Sequence, residues 1–151
     1  MIKFIFNKFQ NKSFLQNLSL YHIKMTTFGT HSKIEKLPEN MADLLQDGKV
    51  LVLTRQNCPY CDLAKEYLDE KEVPYEYILC DKLGITDQQK EQLAQMTGGK
   101  TYPRIFIGKH SVGGFSDLRE FDDKGKLDQL LEQEKIPHLK YLQYGVPKTK
   151  L

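Results

Sequence analysis

The spacing of hydrophobic residues changes along the chain between two patterns, one typical of strands and the other of helices. Residues 50–53 form a short continuous apolar run, which predicts a strand buried on both faces of a sheet. From Pro59 to Glu72 apolar residues recur at helical spacing, which predicts a helix directly after that strand. Pro59 suits the first turn of this helix, because its φ angle is already helical and it has no amide hydrogen to leave unpaired.

The remaining periodic segments complete a small α/β domain. The further predictions are helices at 38–46, 86–96, 115–121 and 127–134 and strands at 75–79, 104–107 and 111–112. Because a helix connects the first two strands, these should be parallel, whereas a turn at Gly108 and Lys109 makes the last two a hairpin. The order of elements predicts a four-stranded mixed sheet with helices on both faces.

The chain divides into three segments of different composition. Residues 1–31 form a leader, and its first 24 residues contain four lysines and no carboxylate. Such a basic, amphipathic segment is typical of an organelle-targeting peptide. Its lack of arginine favours the alternative, a disordered leader upstream of an internal start at Met25. Residues 32–136 are the predicted domain and residues 137–151 a loosely ordered tail, and we expect the protein in the cytoplasm or in mitochondria.

The chain length, the net charge and the length of the apolar runs limit the classes of protein to which the chain can belong. The chain has 151 residues, enough for one domain with a hydrophobic core. Its net charge of +2 gives no sign of a nucleic-acid binder. Since no apolar run approaches the ~20 residues needed to cross a bilayer, we expect no membrane-spanning helix. We expect a monomer.

The three cysteines are the first candidates for chemistry. Cys58 and Cys61 form a C-x-x-C motif, and Cys80 follows at the end of an apolar strand. An isolated C-x-x-C indicates either redox chemistry or half of a metal site. A zinc site needs four ligands, and the other cysteine and histidines have no recognisable spacing, so redox chemistry is favoured over zinc or an inert disulfide. We interpret Cys80 as a buried small hydrophobic residue rather than a regulatory thiol.

The position of Cys58 predicts a reactive thiol. It precedes the helix that begins near Pro59, where unpaired amides and the helix dipole favour a thiolate. Arg55 lies on the same loop and can place a cation beside the sulfur, and Cys61, one turn further, can donate a hydrogen bond to it. We therefore expect Cys58 to be the attacking cysteine and Cys61 the resolving one.

Three motifs give the segment from Lys49 to Glu134 its resemblance to glutaredoxins. They are RQNCPYC at 55–61, TYPRIFIG at 101–108 and GGFSDL at 113–118. The resemblance implies a thioredoxin-like fold and a thiol–disulfide oxidoreductase that reduces protein–glutathione mixed disulfides and protein disulfides. It implies glutathione as co-substrate and no metal. The implied partners are glutathione and glutathionylated or disulfide-containing proteins, with no nucleic acid.

The resemblance also implies a glutathione site assembled from these motifs. Thr101, Tyr102 and Pro103 match the family's Thr-Val-Pro loop, in which the proline is cis. Tyr102 would pair through its backbone with the cysteine of glutathione, like a short added strand. Gly114 leaves room for the backbone to approach.

The two ends of glutathione would meet charged groups of this site. Ser116, Asp117 and the amides of the following helix suit the γ-glutamyl end, although an ordinary helix N-cap is the alternative for this pair. Arg55 stands where the family usually has Lys and would bind the glycyl carboxylate, with Lys90 as a second candidate. Tyr60, the third residue of the C-x-x-C motif, is normally exposed in the family, and a core position is its alternative.

Two other functions remain as alternatives. A thioredoxin would be reduced by a flavoprotein, but its motif is flanked by Trp, and this chain has none. An iron–sulfur cluster carrier would bridge a cluster between two chains through Cys58 and bound glutathione. Relatives devoted to that task usually have Cys-Gly-Phe-Ser, whereas Pro59 stiffens the loop here and Cys61 offers a competing disulfide.

Overall fold

The computed structural model of the protein describes residues 31–139, so the segment predicted to target the chain and most of the tail lie outside the described residues. Its strands are β1 (His31–Lys33), β2 (Val50–Thr54), β3 (Tyr75–Leu79), β4 (Arg104–Ile107) and β5 (His110–Gly113). Its α-helices are α1 (Pro59–Glu70), α2 (Asp87–Thr97), α3 (Phe115–Asp123) and α4 (Lys126–Gln133), and a 3-10 helix spans Met41–Leu44.

The strands form one mixed sheet in the order β1-β3-β2-β4-β5. β2 is parallel to β3, across the helix α1, and antiparallel to β4, which pairs with β5 as a hairpin. These pairings confirm the predicted topology of the four central strands. β1 adds a fifth strand that the sequence did not predict, because its three residues are all exposed and show no apolar alternation.

Successive residues of the central strands face two separate hydrophobic clusters. Val50 and Val52 pack with residues of α1, α3 and α4, while Leu51 and Leu53 pack with residues of α2 and the 3-10 helix. The side-chain period of a strand is two, so this alternation requires both faces of the sheet to be covered. The predicted placement of helices on both faces is therefore confirmed.

The segment at 38–46 is shorter than the helix that its periodicity predicts. Only Met41–Leu44 are helical, as a single 3-10 turn. The Asn40 side chain caps this turn by accepting a hydrogen bond from the Ala42 amide at 3.2 Å. The Met41 amide donates a hydrogen bond to the Gln92 side chain on α2 at 3.0 Å. This tertiary contact stabilises the single turn, whereas an isolated α-helix needs several turns to be stable.

Both limits of the described chain make contacts with the sheet and helices. His31 pairs with Tyr75 at the sheet edge, and His138 is buried. The Leu139 amide donates to the Lys71 carbonyl at 2.8 Å. The described contacts thus include His31, one residue before the predicted domain of 32–136, and residues 138 and 139 beyond it, while the division into three segments stays a prediction. No helix within residues 31–139 is long and apolar enough to cross a membrane.

Candidate active site

The C-x-x-C motif lies where the central strand β2 turns into α1. Cys58 is the N-cap residue of α1, and its carbonyl accepts hydrogen bonds from the Cys61 amide at 3.0 Å and the Asp62 amide at 3.2 Å. Asn57, with φ of 51°, turns the loop sharply into this position. The separation of one helical turn places the two cysteines 5.2 Å apart at Cα, and they are joined by a disulfide.

The two sulfur-bearing residues differ in access to solvent. Cys58 is 6% exposed and Cys61 is 1% exposed, so Cys58 is the outer residue of the pair. Tyr60 is 60% exposed, so the alternative prediction that it lies in the core is wrong. An incoming disulfide therefore reaches Cys58 more readily than Cys61, across a surface that includes the Tyr60 ring.

The loop of Thr101, Tyr102 and Pro103 adjoins the disulfide. The Tyr102–Pro103 peptide bond is cis, as the resemblance implied. The Tyr102 carbonyl oxygen lies 4.0 Å from the Cys58 sulfur. Arg104 holds the other side of this loop, because its Nε donates to the Thr101 carbonyl at 2.9 Å. The backbone of Tyr102 is thus positioned next to the reactive pair.

The start of α3 also approaches this loop. A Cβ at Gly114 would lie 3.7 Å from the Pro103 carbonyl oxygen, so the two segments are in close approach. Gly114 is the N-cap residue of α3, and its amide donates to the Asp117 carboxylate at 2.8 Å. The N-cap residue is therefore Gly114 rather than Ser116 or Asp117, and the capping role given as the alternative for this pair falls to the Asp117 side chain, which accepts the Gly114 amide.

A basic groove, defined here as the cavity between α2 and the loop at 101–103, has a volume of about 500 Å³. Of the predicted site residues, Arg55, Lys90 and Tyr102 line it. Lys90 is exposed and already pairs with Asp87 at 2.7 Å. Its other cationic residues are Lys100 and Arg104, which sequence reasoning missed although both lie within the segment that contains the TYP motif.

The predicted residues consequently fall into two groups. The described residues that line the basic groove include neither Cys58 nor Asp117. Cys58 lies at the Tyr102 carbonyl, and Gly114 and Asp117 lie beyond Pro103. The loop at 101–103 therefore has three neighbours, which are the basic groove, the disulfide and the start of α3.

Cys80 is buried, as interpreted, but it also forms part of the groove wall. It is 5% exposed, and burial raises the pKa of its thiol above the usual value. A hydrogen bond from the Tyr102 hydroxyl and the charge of Arg104 act in the opposite direction on this pKa. Burial, with the neighbouring Cys80, raises the pKa of Tyr102 to about 12. Both groups are therefore neutral at physiological pH.

Within residues 31–139, no three histidine, cysteine or carboxylate side chains lie together in a way that could hold a metal ion. The Cys80 thiol lines the groove, and the Cys58–Cys61 disulfide lies beside the Tyr102 carbonyl. Thiol chemistry is what this arrangement of residues can perform by itself.

Comparison with known proteins agrees with the geometry. A family model described as glutaredoxin matches residues 50–112. "Glutaredoxin 1" of Rickettsia prowazekii (strain Madrid E) is 43% identical over 86 residues, which are 56% of this chain and 88% of that protein. "Glutaredoxin-1" of Homo sapiens is 38% identical over 92 residues, which are 59% of this chain and 87% of that protein. "Glutaredoxin-2, mitochondrial" of Pongo abelii is 30% identical over 112 residues, covering 74% and 70%.

Solved structures give the same result. The buckwheat glutaredoxin–glutathione complex superimposes with a TM-score of 0.58 and 29% identity, over 62% of this chain and 86% of that one. The holo form of glutaredoxin C1 from Populus tremula x tremuloides gives a TM-score of 0.57 and 28% identity, over 64% and 87%. These similarities confirm the thioredoxin-like α/β fold. Together with its Cys58–Cys61 pair, they establish that the chain belongs to the glutaredoxin family of glutathione-dependent thiol oxidoreductases.

Proposed function

We propose that the protein reduces protein–glutathione mixed disulfides and protein disulfides through Cys58 and Cys61, with glutathione as co-substrate. The observation that carries the proposal is the disulfide at the start of α1, whose outer sulfur lies 4.0 Å from the Tyr102 carbonyl. A reversible dithiol next to an exposed peptide backbone suits exchange with a cysteine-containing peptide.

Cys58 is the proposed nucleophile. It is the more exposed of the two cysteines, and it is the N-cap of a 12-residue helix. Once the disulfide is reduced, the amides of the first turn and the helix dipole stabilise a thiolate there and lower its pKa, which is what makes a thiol reactive near neutral pH.

Reduction of a glutathionylated protein then proceeds in two exchanges. The Cys58 thiolate attacks the glutathione sulfur, a bond forms between these sulfurs, and the protein leaves as a thiolate that takes up a proton. The thiolate of a second glutathione attacks the sulfur of glutathione bound to Cys58. Oxidised glutathione leaves, and the Cys58 thiolate is restored.

Protein disulfides follow a route that needs both cysteines. Cys58 attacks one sulfur of the target, and Cys61 then attacks Cys58, which releases the reduced target and closes the intramolecular disulfide. Two glutathione molecules reopen the pair, the first forming the Cys58–glutathione adduct and the second removing it. Cys61 is buried and one turn from Cys58, which suits an intramolecular attack and disfavours reaction with outside disulfides.

Glutathione would lie along the loop at 101–103. We propose that its cysteine pairs with the backbone of Tyr102 and that its γ-glutamyl end meets Asp117 and the first amides of α3. A solved relative of the same fold is a complex with glutathione, which supports this ligand. The glycyl carboxylate would extend toward the basic groove, where Arg55 and Lys90 are exposed on the rim.

The test uses variants of the two cysteines. Cys58→Ser should lose at least about 10³-fold in the rate of deglutathionylation, because a hydroxyl replaces the nucleophile. Cys61→Ser should keep deglutathionylation and lose reduction of protein disulfides. Activity is measured with a glutathionylated peptide and with a disulfide-bonded protein, and Cys80→Ser is the matched control that should change neither. Full deglutathionylation by Cys58→Ser would contradict the proposal.

The iron–sulfur carrier stays an alternative hypothesis. It would use Cys58 of two chains and bound glutathione as ligands, so the purified protein would be brown and would elute as a dimer. A colourless monomer that reduces mixed disulfides would favour the oxidoreductase.

A further inference from the structure

Two large apolar side chains are exposed close to the reactive pair. Tyr60 is 60% exposed and Leu63 is 43% exposed, and within the part of the chain that the structure describes these are the two exposed large hydrophobic residues. Both lie in the first half of α1, within five residues of Cys58. A single exposed apolar side chain is ordinary, but two beside a reactive residue indicate a surface that is covered during the reaction.

Helical spacing places these two side chains on one side of α1. Residues three or four apart are neighbours on a helix surface, so Tyr67, four residues beyond Leu63, continues the same side. We define the α1 patch as Tyr60, Leu63 and Tyr67. The Tyr67 ring is half-buried and meets the Phe115 ring of α3 edge to face, with 6.1 Å between the ring centres. One end of the patch is therefore fixed against α3, while the other end is open to solvent in the C-x-x-C motif.

The charged groups next to Leu63 offer little to an ionic partner. The Asp62 carboxylate already lies 2.8 Å from the Lys65 ammonium group, one turn further along α1. Glu66 is exposed three residues beyond Leu63 and would repel an acidic partner. Because paired surface charges attract a further charge only weakly, apolar contact is the main interaction that the patch can provide.

Disulfide exchange brings a target chain onto this surface. When Cys58 attacks a protein disulfide, a bond forms between its sulfur and the sulfur of the target cysteine, and the two Cα atoms then lie about 4.4–6.8 Å apart. The residues on either side of the target cysteine follow at about 3.8 Å per residue. Leu63 lies about 7.5 Å from Cys58 along the helix axis. A side chain next to the target cysteine can therefore reach the α1 patch while the sulfurs exchange.

We propose that the α1 patch binds an apolar side chain of the target protein, within one or two residues of the cysteine that Cys58 attacks. The inference rests on the proposed function, because it assigns the class of protein disulfide that the same site reduces best. Burial of Leu63 and of the Tyr60 ring against such a side chain stabilises the complex through the hydrophobic effect. The mixed disulfide of cysteine with glutathione has no such side chain, so its reduction does not depend on Leu63.

The test compares two peptides that differ only beside their cysteines. Each peptide contains one intramolecular disulfide, and the residues that flank both cysteines are leucines in one peptide and serines in the other. Each kcat/KM is divided by the rate at which dithiothreitol alone reduces that peptide. For the wild-type protein, the resulting value should be at least about fivefold higher for the leucine peptide.

Two variants of Leu63 assign this preference to the patch. Leu63→Gln keeps a side chain of similar length that also favours a helix, and the preference for the leucine peptide should fall at least about threefold. Leu63→Met retains an apolar side chain and should keep the wild-type preference. Glu70→Gln is the matched control, because Glu70 is exposed on α1 seven residues beyond Leu63, and it should change nothing.

The mixed disulfide of cysteine with glutathione separates binding of the target from the chemistry of Cys58. Leu63→Gln should reduce it at the wild-type rate. An equal loss for this substrate and for both peptides would overturn the proposal, because Leu63 would then act on Cys58 itself. Equal rates for the two peptides with the wild-type protein would overturn it as well. A wild-type protein that reduces none of the three substrates would instead contradict the proposed function.

A trapped complex tests the contact itself. In Cys61→Ser, the Cys58 thiolate attacks the sulfur of a single-cysteine peptide that is activated as its mixed disulfide with thionitrobenzoate. Thionitrobenzoate leaves as the free thiolate, and the peptide stays bonded to Cys58. With leucines beside the peptide cysteine, NMR should show nuclear Overhauser effects between their methyl groups and those of Leu63. Leu63 methyl signals that are identical in the complexes of the leucine and serine peptides would overturn the proposal.

Discussion

Tyr102 connects three features of the site through different atoms. Its carbonyl faces the Cys58 sulfur, its ring lies over the Arg104 guanidinium, and its hydroxyl forms a hydrogen bond with Cys80. The family usually has Val at this position of the loop, and a Val side chain has neither the ring nor the hydroxyl. The tyrosine therefore covers a third thiol, which lines the same groove.

Replacement of Tyr102 should change the reactivity of Cys80. In a background of Cys58→Ser and Cys61→Ser, only Cys80 can react with iodoacetamide. Tyr102→Val removes the cover, so the pKa of Cys80 should fall and its rate at pH 8 rise by about tenfold, the change in thiolate fraction that one pKa unit produces. Tyr102→Phe keeps the aromatic ring that covers Cys80 but removes the hydrogen bond that lowers the Cys80 pKa. Alkylation of Cys80 in this variant should therefore be slower than in the same background with Tyr102 unchanged.

The pH dependence of Cys80 alkylation tests whether burial by Tyr102 controls the reactivity of this thiol. Burial raises the pKa of Cys80 above the ordinary 9.0. In the background that retains Tyr102, the rate of Cys80 alkylation should therefore still rise steadily with pH through pH 9. In Tyr102→Val the rate should begin to level off at lower pH. Identical profiles in the three proteins would mean that Tyr102 does not control access to this thiol.

At the level of elements, the turn from β5 into α3 places Asp117 against Gly113 and Gly114. Gly113 has φ of 111°, a region that side chains rarely adopt, and a Cβ there would overlap the Asp117 carboxylate. Asp117 in turn accepts the amide of Gly114 and so begins the helix. The glycine thus permits the close approach of the strand end to the helix start.

Gly113→Ala should destabilise the protein more than a matched change at another glycine. The strained backbone and the displaced carboxylate should lower the free energy of unfolding by about 2–3 kcal/mol. Gly98→Ala, at the end of α2 with φ of 67° and open space around it, should cost about 1 kcal/mol. Urea unfolding of both variants makes the comparison, and equal losses would show that the contact with Asp117 carries no strain.

At the scale of the whole molecule, the site lies at one edge of a sheet that is covered on both faces. β2 ends in the loop that leads to Cys58, and β4 begins directly after Pro103. These two strands are antiparallel neighbours with Leu53 opposite Arg104, so their pairing brings the disulfide and the loop at 101–103 to the same edge. Packing of α1 and α2 on opposite faces then forms the walls on either side.

The role predicted for the leader, residues 1–31, concerns the location of the protein within the cell. We expect residues 1–30, fused to a fluorescent reporter, to direct it to mitochondria, because their first 24 residues are basic, amphipathic and free of carboxylates. Replacing the four lysines of this segment by Gln should abolish the targeting and serves as the control. A reporter that stays diffuse in the cytoplasm with the natural segment would favour the alternative of an untargeted leader.

Local chemistry made most of the fold and the reactive pair predictable from the sequence. The short continuous apolar run predicts a strand covered on both faces, and helical spacing after Pro59 predicts a helix whose first turn holds the C-x-x-C. The helix predicted at 86–96 was recognisable for the same reason, since its Thr86 N-cap and its Gly98 C-cap act on the residues next to them in the chain. β1 escaped prediction because its partner is 44 residues away and its side chains carry no apolar pattern.

What the sequence by itself determined is therefore the order of the elements and the identity of the two sulfurs, because both depend on neighbours along the chain. Only the tertiary structure decided that Arg104 is buried with an unpaired donor, that Tyr102 covers Cys80, and that Lys90 already has a partner. In the sequence Arg104 is one polar residue at the start of a strand. Burial and pairing arise only when α2, β4 and the loop at 101–103 pack together, and no local pattern encodes the distance between them.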